Sequence, residues 1–151
     1  MLTRNEFFML KALDFAKAAS NSAEVPVGAV LVLNDRILAR GFNKREKKQN
    51  ALCHAEIECI MLACSKLRSW RLTNCDIYTT LEPCIMCVGA IINSRIKKIV
   101  FGAKDVKNGA CFSNRLNLKH SYKPQIIGCV LEKRCSNLLH KFFEELRFQQ
   151  K

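Results

Sequence analysis

The sequence predicts an α/β protein: a three-layer α/β/α sandwich whose central mixed sheet of about five strands is flanked by helices. Three observations lead to it. Runs with helical and strand-like hydrophobic spacing alternate along the chain, and such alternation implies a sheet covered on both faces. The 151 residues contain no internal repeat, low-complexity tract or Pro/Gly/Ser-rich linker, so one domain spanning 1–151 is expected. Apolar residues make up 49% and charged residues 25%, the proportions of a chain that buries a core.

Thr3-Arg4-Asn5-Glu6 is a capping-box pattern, and Phe8, Ala12, Phe15 and Ala19 follow at helical spacing. A first helix is expected from about Arg4 to Ser20. Val27 to Leu33 and Arg36 to Phe42 are strand-like, and only Asn34-Asp35 separates them, which predicts a tight hairpin. From Ala55 to Leu67 the chain is apolar on nearly all sides, through Ile57, Cys59, Ile60, Met61, Leu62, Ala63 and Cys64, as in a buried helix. A short strand, Asp76 to Thr80, ends at Leu81-Glu82-Pro83, and Pro83 suits the start of a helix from about Cys84 to Asn93. Lys97 to Gly102 and Gln125 to Leu131 read as strands with a basic loop between them. Cys135, Leu138, Leu139, Phe142, Phe143 and Leu146 then mark one face of a C-terminal helix.

Composition excludes several classes. The longest unbroken apolar stretch, Val25 to Leu33, is nine residues and contains Pro26 and Gly28, so no transmembrane helix is expected. The N-terminus has no basic region leading into an apolar core, and Glu6 interrupts the nearest candidate. Secretion is not expected, and a cytoplasmic location is. Lys and Arg number 25 against 13 acids, a net charge of +12, which favours a polyanionic partner. The excess is uneven: Ser94 to Lys123 holds eight Lys or Arg and only Asp105 as an acid, and Lys44-Arg45-Glu46-Lys47-Lys48 adds four more. Nucleic acid is the expected partner, ahead of an acidic membrane surface, because no basic amphipathic anchor stands out. Nine cysteines without a signal peptide point to a reducing compartment, where they serve as small buried hydrophobes or metal ligands.

His54-Ala55-Glu56 is followed, after 26 residues, by Pro83-Cys84-Ile85-Met86-Cys87. Cys84 and Cys87 are three apart, so near a helix start their sulfurs lie on one side and can share a metal. The positive end of the helix dipole favours the thiolates that zinc requires. His54 opens a different helix, and two helix starts can face each other across the end of a sheet, where α/β folds place ligands. A His and two Cys leave the fourth position of a zinc ion open, as in catalytic rather than structural sites. Zinc there lowers the pKa of water toward neutrality. Glu56 lies about 200° around an ideal helix from His54 and so does not ligate beside it; from the first turn it can lean toward the water and move its proton to a leaving group. His-x-Glu or Cys-x-x-Cys alone is a weak signal, with chance occurrence, core packing or redox chemistry as the plain readings. Joined, each opening a helix, they form the zinc nucleoside and nucleobase deaminase signature.

The chain resembles the bacterial tRNA-specific adenosine deaminases. The resemblance is carried by Glu24-Val25-Pro26-Val27-Gly28-Ala29-Val30-Leu31-Val32, by Thr80 through Ile91 around Pro83-Cys84-Ile85-Met86-Cys87, by Ser94-Arg95-Ile96, and by Val100-Phe101-Gly102-Ala103-Lys104-Asp105. It fades after about Gly109 and returns at Phe142-Phe143. It implies a cytidine deaminase-like fold, one zinc per subunit held by His54, Cys84 and Cys87, and Glu56 as proton shuttle. The implied reaction converts the wobble adenosine in the anticodon stem-loop of an arginine tRNA to inosine, with release of ammonia. The resemblance also implies Asn43 as a hydrogen-bonding partner of the flipped nucleotide, Asp105 and Lys107 on a loop beside the substrate, and Phe142 or Phe143 lining a pocket for a neighbouring nucleotide. It implies a homodimer with both subunits on the RNA. Read plainly, Asn43 is a turn residue ending the second strand and the two phenylalanines pack in the core.

Two departures stand out. Before His54 the family usually carries an Asp-Pro-Thr-Ala-like stretch, here Asn50-Ala51-Leu52-Cys53, which places a thiol beside a metal ligand. The loop from Ala110 to Lys123 also differs, and with it the RNA contacts. Deamination of a free base or nucleoside, such as guanine or cytosine, is the alternative reaction, because the zinc core is common to all these enzymes. A non-catalytic zinc and RNA-binding subunit is a further alternative, against which Glu56 stands. A redox Cys-x-x-Cys protein would need thioredoxin-like surroundings that this chain lacks.

Overall fold

The computed structural model describes residues 1–115 and 120–151. The chain runs α1 (Arg4–Asn21), β1 (Gly28–Leu33), β2 (Arg36–Phe42), α2 (Arg45–Lys48), α3 (Ala55–Leu67), β3 (Cys75–Leu81), α4 (Ile85–Asn93), β4 (Lys98–Ala103), β5 (Gln125–Ile127) and α5 (Glu132–Gln149). At the start of α1 the capping box forms: Glu6 donates its backbone N–H to the Thr3 hydroxyl and its carboxylate accepts the Thr3 N–H at 2.8 Å. The hairpin turns through Asn34 and Asp35 at φ 50° and 58°, the left-handed pair that a two-residue connection demands and that Asn and Asp tolerate.

The sheet order is β2-β1-β3-β4-β5, with β1 antiparallel to both neighbours and the β3–β4 and β4–β5 pairs parallel. The sheet is mixed, as expected, and covered on both faces. Alternate residues of β1 divide between two cores. Ala29 and Leu31 join Ile77, Ile99 and Phe101 beneath α3 and α4, while Val30 and Val32 join Tyr78 and Val100 beneath α1 and α5. The period-2 strand pattern thus becomes two apolar layers, and the helix starts of α3 and α4 meet at one end of the sheet.

Three details depart from the sequence reading. Strand β5 stops at Ile127 instead of Leu131. At Gly128 a Cβ would lie 2.5 Å from the Phe101 ring, and Cys129 and Leu131 take φ of 64° and 53°, which turns the chain into α5. The short helix α2 forms within the basic run after β2, where no element was expected. Finally, the apolar stripe of α5 is only half covered. Cys135 is buried and Leu138 and Leu139 pack on the core, whereas Phe143 and Leu146 are 42% and 39% exposed. Phe142 and Phe143 therefore do not form the core contact that a plain reading gives them. Among the described residues, no helix is long and apolar enough to cross a membrane.

Candidate active site

His54 and Cys84 are the N-cap residues of α3 and α4, both with extended backbone and neither side chain spent on capping. Their side chains turn toward one another instead. His54 Nδ1 lies 3.7 Å from Cys84 Sγ and 3.6 Å from Cys87 Sγ, and the three ligand atoms lie within 4.8 Å of one another. A tetrahedral zinc site with nitrogen at about 2.0–2.1 Å and sulfur at about 2.3 Å has nitrogen–sulfur edges of roughly 3.6 Å. The cluster fits zinc. Cys53, despite its place in the sequence, is not in it: its thiol is buried and its carbonyl accepts the Lys44 N–H at 3.0 Å.

The three groups compete for protons in a way that suits a cation. A hydrogen bond from the Cys87 thiol, aided by His54, brings the Cys84 thiol down to about 4 against the opposing effect of burial. The same pairing and burial push Cys87 up, and the bond with Cys84 raises His54. A divalent ion held by these three residues would replace the shared protons, with both sulfurs then as thiolates.

Glu56, in the first turn of α3, is 3% exposed. Burial pushes its carboxyl above the ordinary value. The Thr79 hydroxyl, on β3, donates to Glu56 Oε1 at 3.4 Å. A cavity of about 400 Å³ opens beside this group, and His54, Glu56 and Cys84 all line it. Asn43 lines it too. Its N–H donates to the Val27 carbonyl at 3.0 Å, but its buried Oδ1 has no hydrogen-bond partner among the described residues. An unpaired buried acceptor costs about 1–3 kcal/mol, so a donor from a bound molecule is the natural complement.

Asp105 forms another part of the wall, its Oδ1 accepting the N–H groups of Lys107 and Asn108 at 3.2 and 3.0 Å. The structure thus brings Asn43 and Asp105 to the same cavity as His54, Glu56 and Cys84, with Cys87 in the cluster beside it. It does not bring Lys107, Phe142 or Phe143 among the residues that line it. Lys107 is exposed on the Asp105 loop, and Phe142 lies beside Lys17 and Asn21 at the end of α1. Sequence reasoning missed Val25, Val27, Arg45, Leu81, Glu82, Ile85 and Asn108, which complete the wall. No spacing marked Glu82: it follows directly on β3, a strand that already holds Asp76, Thr79 and Thr80, and only the fold shows that it is buried and accepts amides from a distant loop.

A covered mixed sheet, two facing helix starts that supply one His and two Cys, and a buried glutamate beside them define a zinc-dependent hydrolytic deaminase. The chain belongs to the cytidine and deoxycytidylate deaminase family, whose zinc-binding region matches residues 2–103. It is 44% identical to the tRNA-specific adenosine deaminase of Bacillus subtilis over 99% of this chain and 95% of that one. With the tRNA-specific adenosine deaminase of Rickettsia typhi the identity is 43%, over 92% of this chain and 97% of that one. A solved structure from studies of A-to-I editing by tRNA:A34 deaminases at the wobble position of transfer RNA matches with a TM-score of 0.84. The two are 39% identical, and the match covers 88% of this chain and 99% of that chain.

Proposed function

We propose that the whole chain is one deaminase domain that hydrolyses the wobble adenosine of a tRNA anticodon loop, that of an arginine tRNA, to inosine. The deaminase chemistry rests on the cluster of His54, Cys84 and Cys87 with the buried Glu56 beside one cavity, and the choice of a tRNA adenosine rests on the likeness over nearly the whole chain to the tRNA-specific adenosine deaminases. His54, Cys84 and Cys87 hold one zinc per subunit. When bound, the ion supplies a nucleophile from water at neutral pH and neutralises developing negative charge. Glu56 takes a proton from the attacking water and delivers it to the departing amino group, so that adenosine and water become inosine and ammonia. The raised affinity of its carboxyl for protons suits it to carry one between the two steps. Asn43 Oδ1 accepts a hydrogen bond from the flipped nucleotide, and the Asp105 wall confines it.

Outside the cavity, Lys107 on the same loop meets the RNA backbone. Phe142 and Phe143, an edge-to-face pair with centroids 5.4 Å apart on α5, offer a stacking surface to a neighbouring nucleotide. The enzyme acts as a cytoplasmic homodimer in which both subunits contact the RNA. The test uses anticodon stem-loops carrying adenosine or cytidine at the wobble position. Inosine from the first and no uridine from the second is expected. Uridine formation, or efficient release of ammonia from free guanine or cytosine with the stem-loop untouched, would overturn the reading.

A further inference from the structure

We infer that Glu82 is a positioning residue for this reaction: its carboxylate gathers the backbone of the 105–113 loop and so sets Asp105 and Asn108 on the cavity wall. The inference rests on the deaminase reading above.

Glu82 follows directly on β3 and precedes Pro83 and Cys84, and it is 2% exposed. Its Oε2 accepts the Asp105 N–H at 3.0 Å and the Ser113 hydroxyl at 2.6 Å. Its Oε1 accepts the N–H groups of Cys111, Phe112 and Ser113 at 3.2, 2.7 and 2.8 Å. Among the described residues no Lys or Arg forms an ion pair with it. Five donors thus converge on its two oxygens, and the loop wraps the carboxylate in the manner of a backbone nest.

The wrapping is close. A Cβ at Gly109 would lie 2.3 Å from Glu82 Cδ, so the loop reaches the carboxylate only with glycine there. Gly109 also forms a bridge with Cys84, and the Ala110 N–H donates to the Pro83 carbonyl at 2.8 Å. One segment, Glu82 to Cys84, thus fixes both a metal-cluster thiol and the substrate-side loop. Loop residues 105–113 belong to no named helix or strand, so these bonds substitute for the ladder that regular structure would provide. The position of Asp105 depends on them most directly, because its own amide is one of the five donors.

Glu82→Gln tests this. The side chain keeps its size, but its NH2 group faces N–H donors instead of accepting from them. Zinc content is expected to stay at the wild-type level while kcat/KM on the anticodon stem-loop falls by about 10²-fold, the cost of misplacing a binding group by about 1 Å. Amide exchange at Asp105, Cys111, Phe112 and Ser113 should accelerate selectively. A cycle with Asn108→Ala separates positioning from general support. If Glu82 acts through the wall, the double variant loses much less than the product of the two single losses; multiplicative losses would overturn the inference. Wild-type kcat/KM in Glu82→Gln, or loss of zinc in step with activity, would also overturn it. Should Glu82→Gln fail to fold, Ser113→Ala removes one donor and keeps the carboxylate. About a three- to tenfold loss in kcat/KM with normal zinc is expected, and no loss overturns the inference. Failure of the deaminase reading is separate: the wild-type enzyme would then form no inosine, whatever the variants do.

Discussion

The side chains around the cavity divide by what their chemistry demands of a sequence. Metal ligands and a proton carrier need particular residue types at particular spacings, so His54, Cys84, Cys87 and Glu56 could be picked out from the sequence as candidates, and the fold brings the first three together with Glu56 on the adjoining cavity. Asn43 and Asp105 were legible only through resemblance, because a carboxamide or carboxylate at a loop is common without function. Glu82 was invisible as a functional residue, since accepting backbone amides from a distant loop leaves no spacing to read. Glu56→Gln keeps volume and some hydrogen bonding but cannot shuttle a proton. Turnover should fall by about 10²–10⁴-fold with zinc and RNA binding intact, and unchanged turnover would remove Glu56 from the mechanism. The metal is tested by X-ray absorption on purified protein, where two sulfurs and one nitrogen should come from the chain. Three or more sulfurs would mean that another cysteine closes the site and makes it structural. Glu82 also predicts an acid limb. Its carboxyl is held low in the folded protein, so its stabilising contribution is present above the ordinary carboxylate pKa and is lost as pH falls through the folded value. In acid unfolding curves Glu82→Gln should lose part of that slope; an unchanged slope would argue that the loop bonds do not discriminate between charged and neutral forms.

At the level of elements, regular periodicity translated directly and local turns did not. Helices α1, α3 and α4 and strands β1 to β4 fall within a few residues of the pattern-based boundaries, because a core on both sheet faces enforces the apolar spacing. Strand β5 was overextended because its apolar run continues past Gly128, where close approach to Phe101 and two left-handed residues end the pairing. Helix α2 was missed because nothing apolar marks it. It is held from outside: the buried Glu24 accepts the Glu46 and Lys47 N–H groups at 3.2 and 2.6 Å, and Lys44 and Lys48 pair with Glu58 on α3. This element carries Arg45 to the cavity wall. Glu24→Gln leaves a buried amide facing one of those donors, so a stability loss of about 1–3 kcal/mol is expected in denaturant titrations. KM for the stem-loop should rise with kcat less affected, because α2 borders the cavity and contributes no side chain to the reacting group. Equal stability of the variant and wild type would show that α2 stands without Glu24.

For the molecule as a whole the decisive quantity is the charge of +12, and the structure divides it into bound and available parts. Lys44 and Lys48 are committed to Glu58 at 3.0 and 3.1 Å, and Lys98 to Asp76 at 3.3 Å. Lys119, within the basic stretch before Lys123, lies outside the described residues. Lys47, Lys104 and Lys107 are exposed and have no carboxylate partner among the described residues, and the last two flank Asp105 on the substrate side of the sheet. If these cations meet the tRNA backbone, each phosphate neutralised releases counterions, and log K should fall with log salt by about 0.7 per contact on single-stranded RNA. Four contacts give a slope of about −3. Lys104→Gln and Lys107→Gln should each flatten that slope by about 0.7 without changing zinc content. Lys44→Gln should instead act through Glu58 and α2, lowering stability more than it changes the slope. Adenosine specificity should persist in all three, because the base is read within the cavity and phosphate contacts carry no base information. Affinity for the stem-loop that is independent of salt would disconnect the basic surface from the substrate and leave the net charge as a matter of solubility alone.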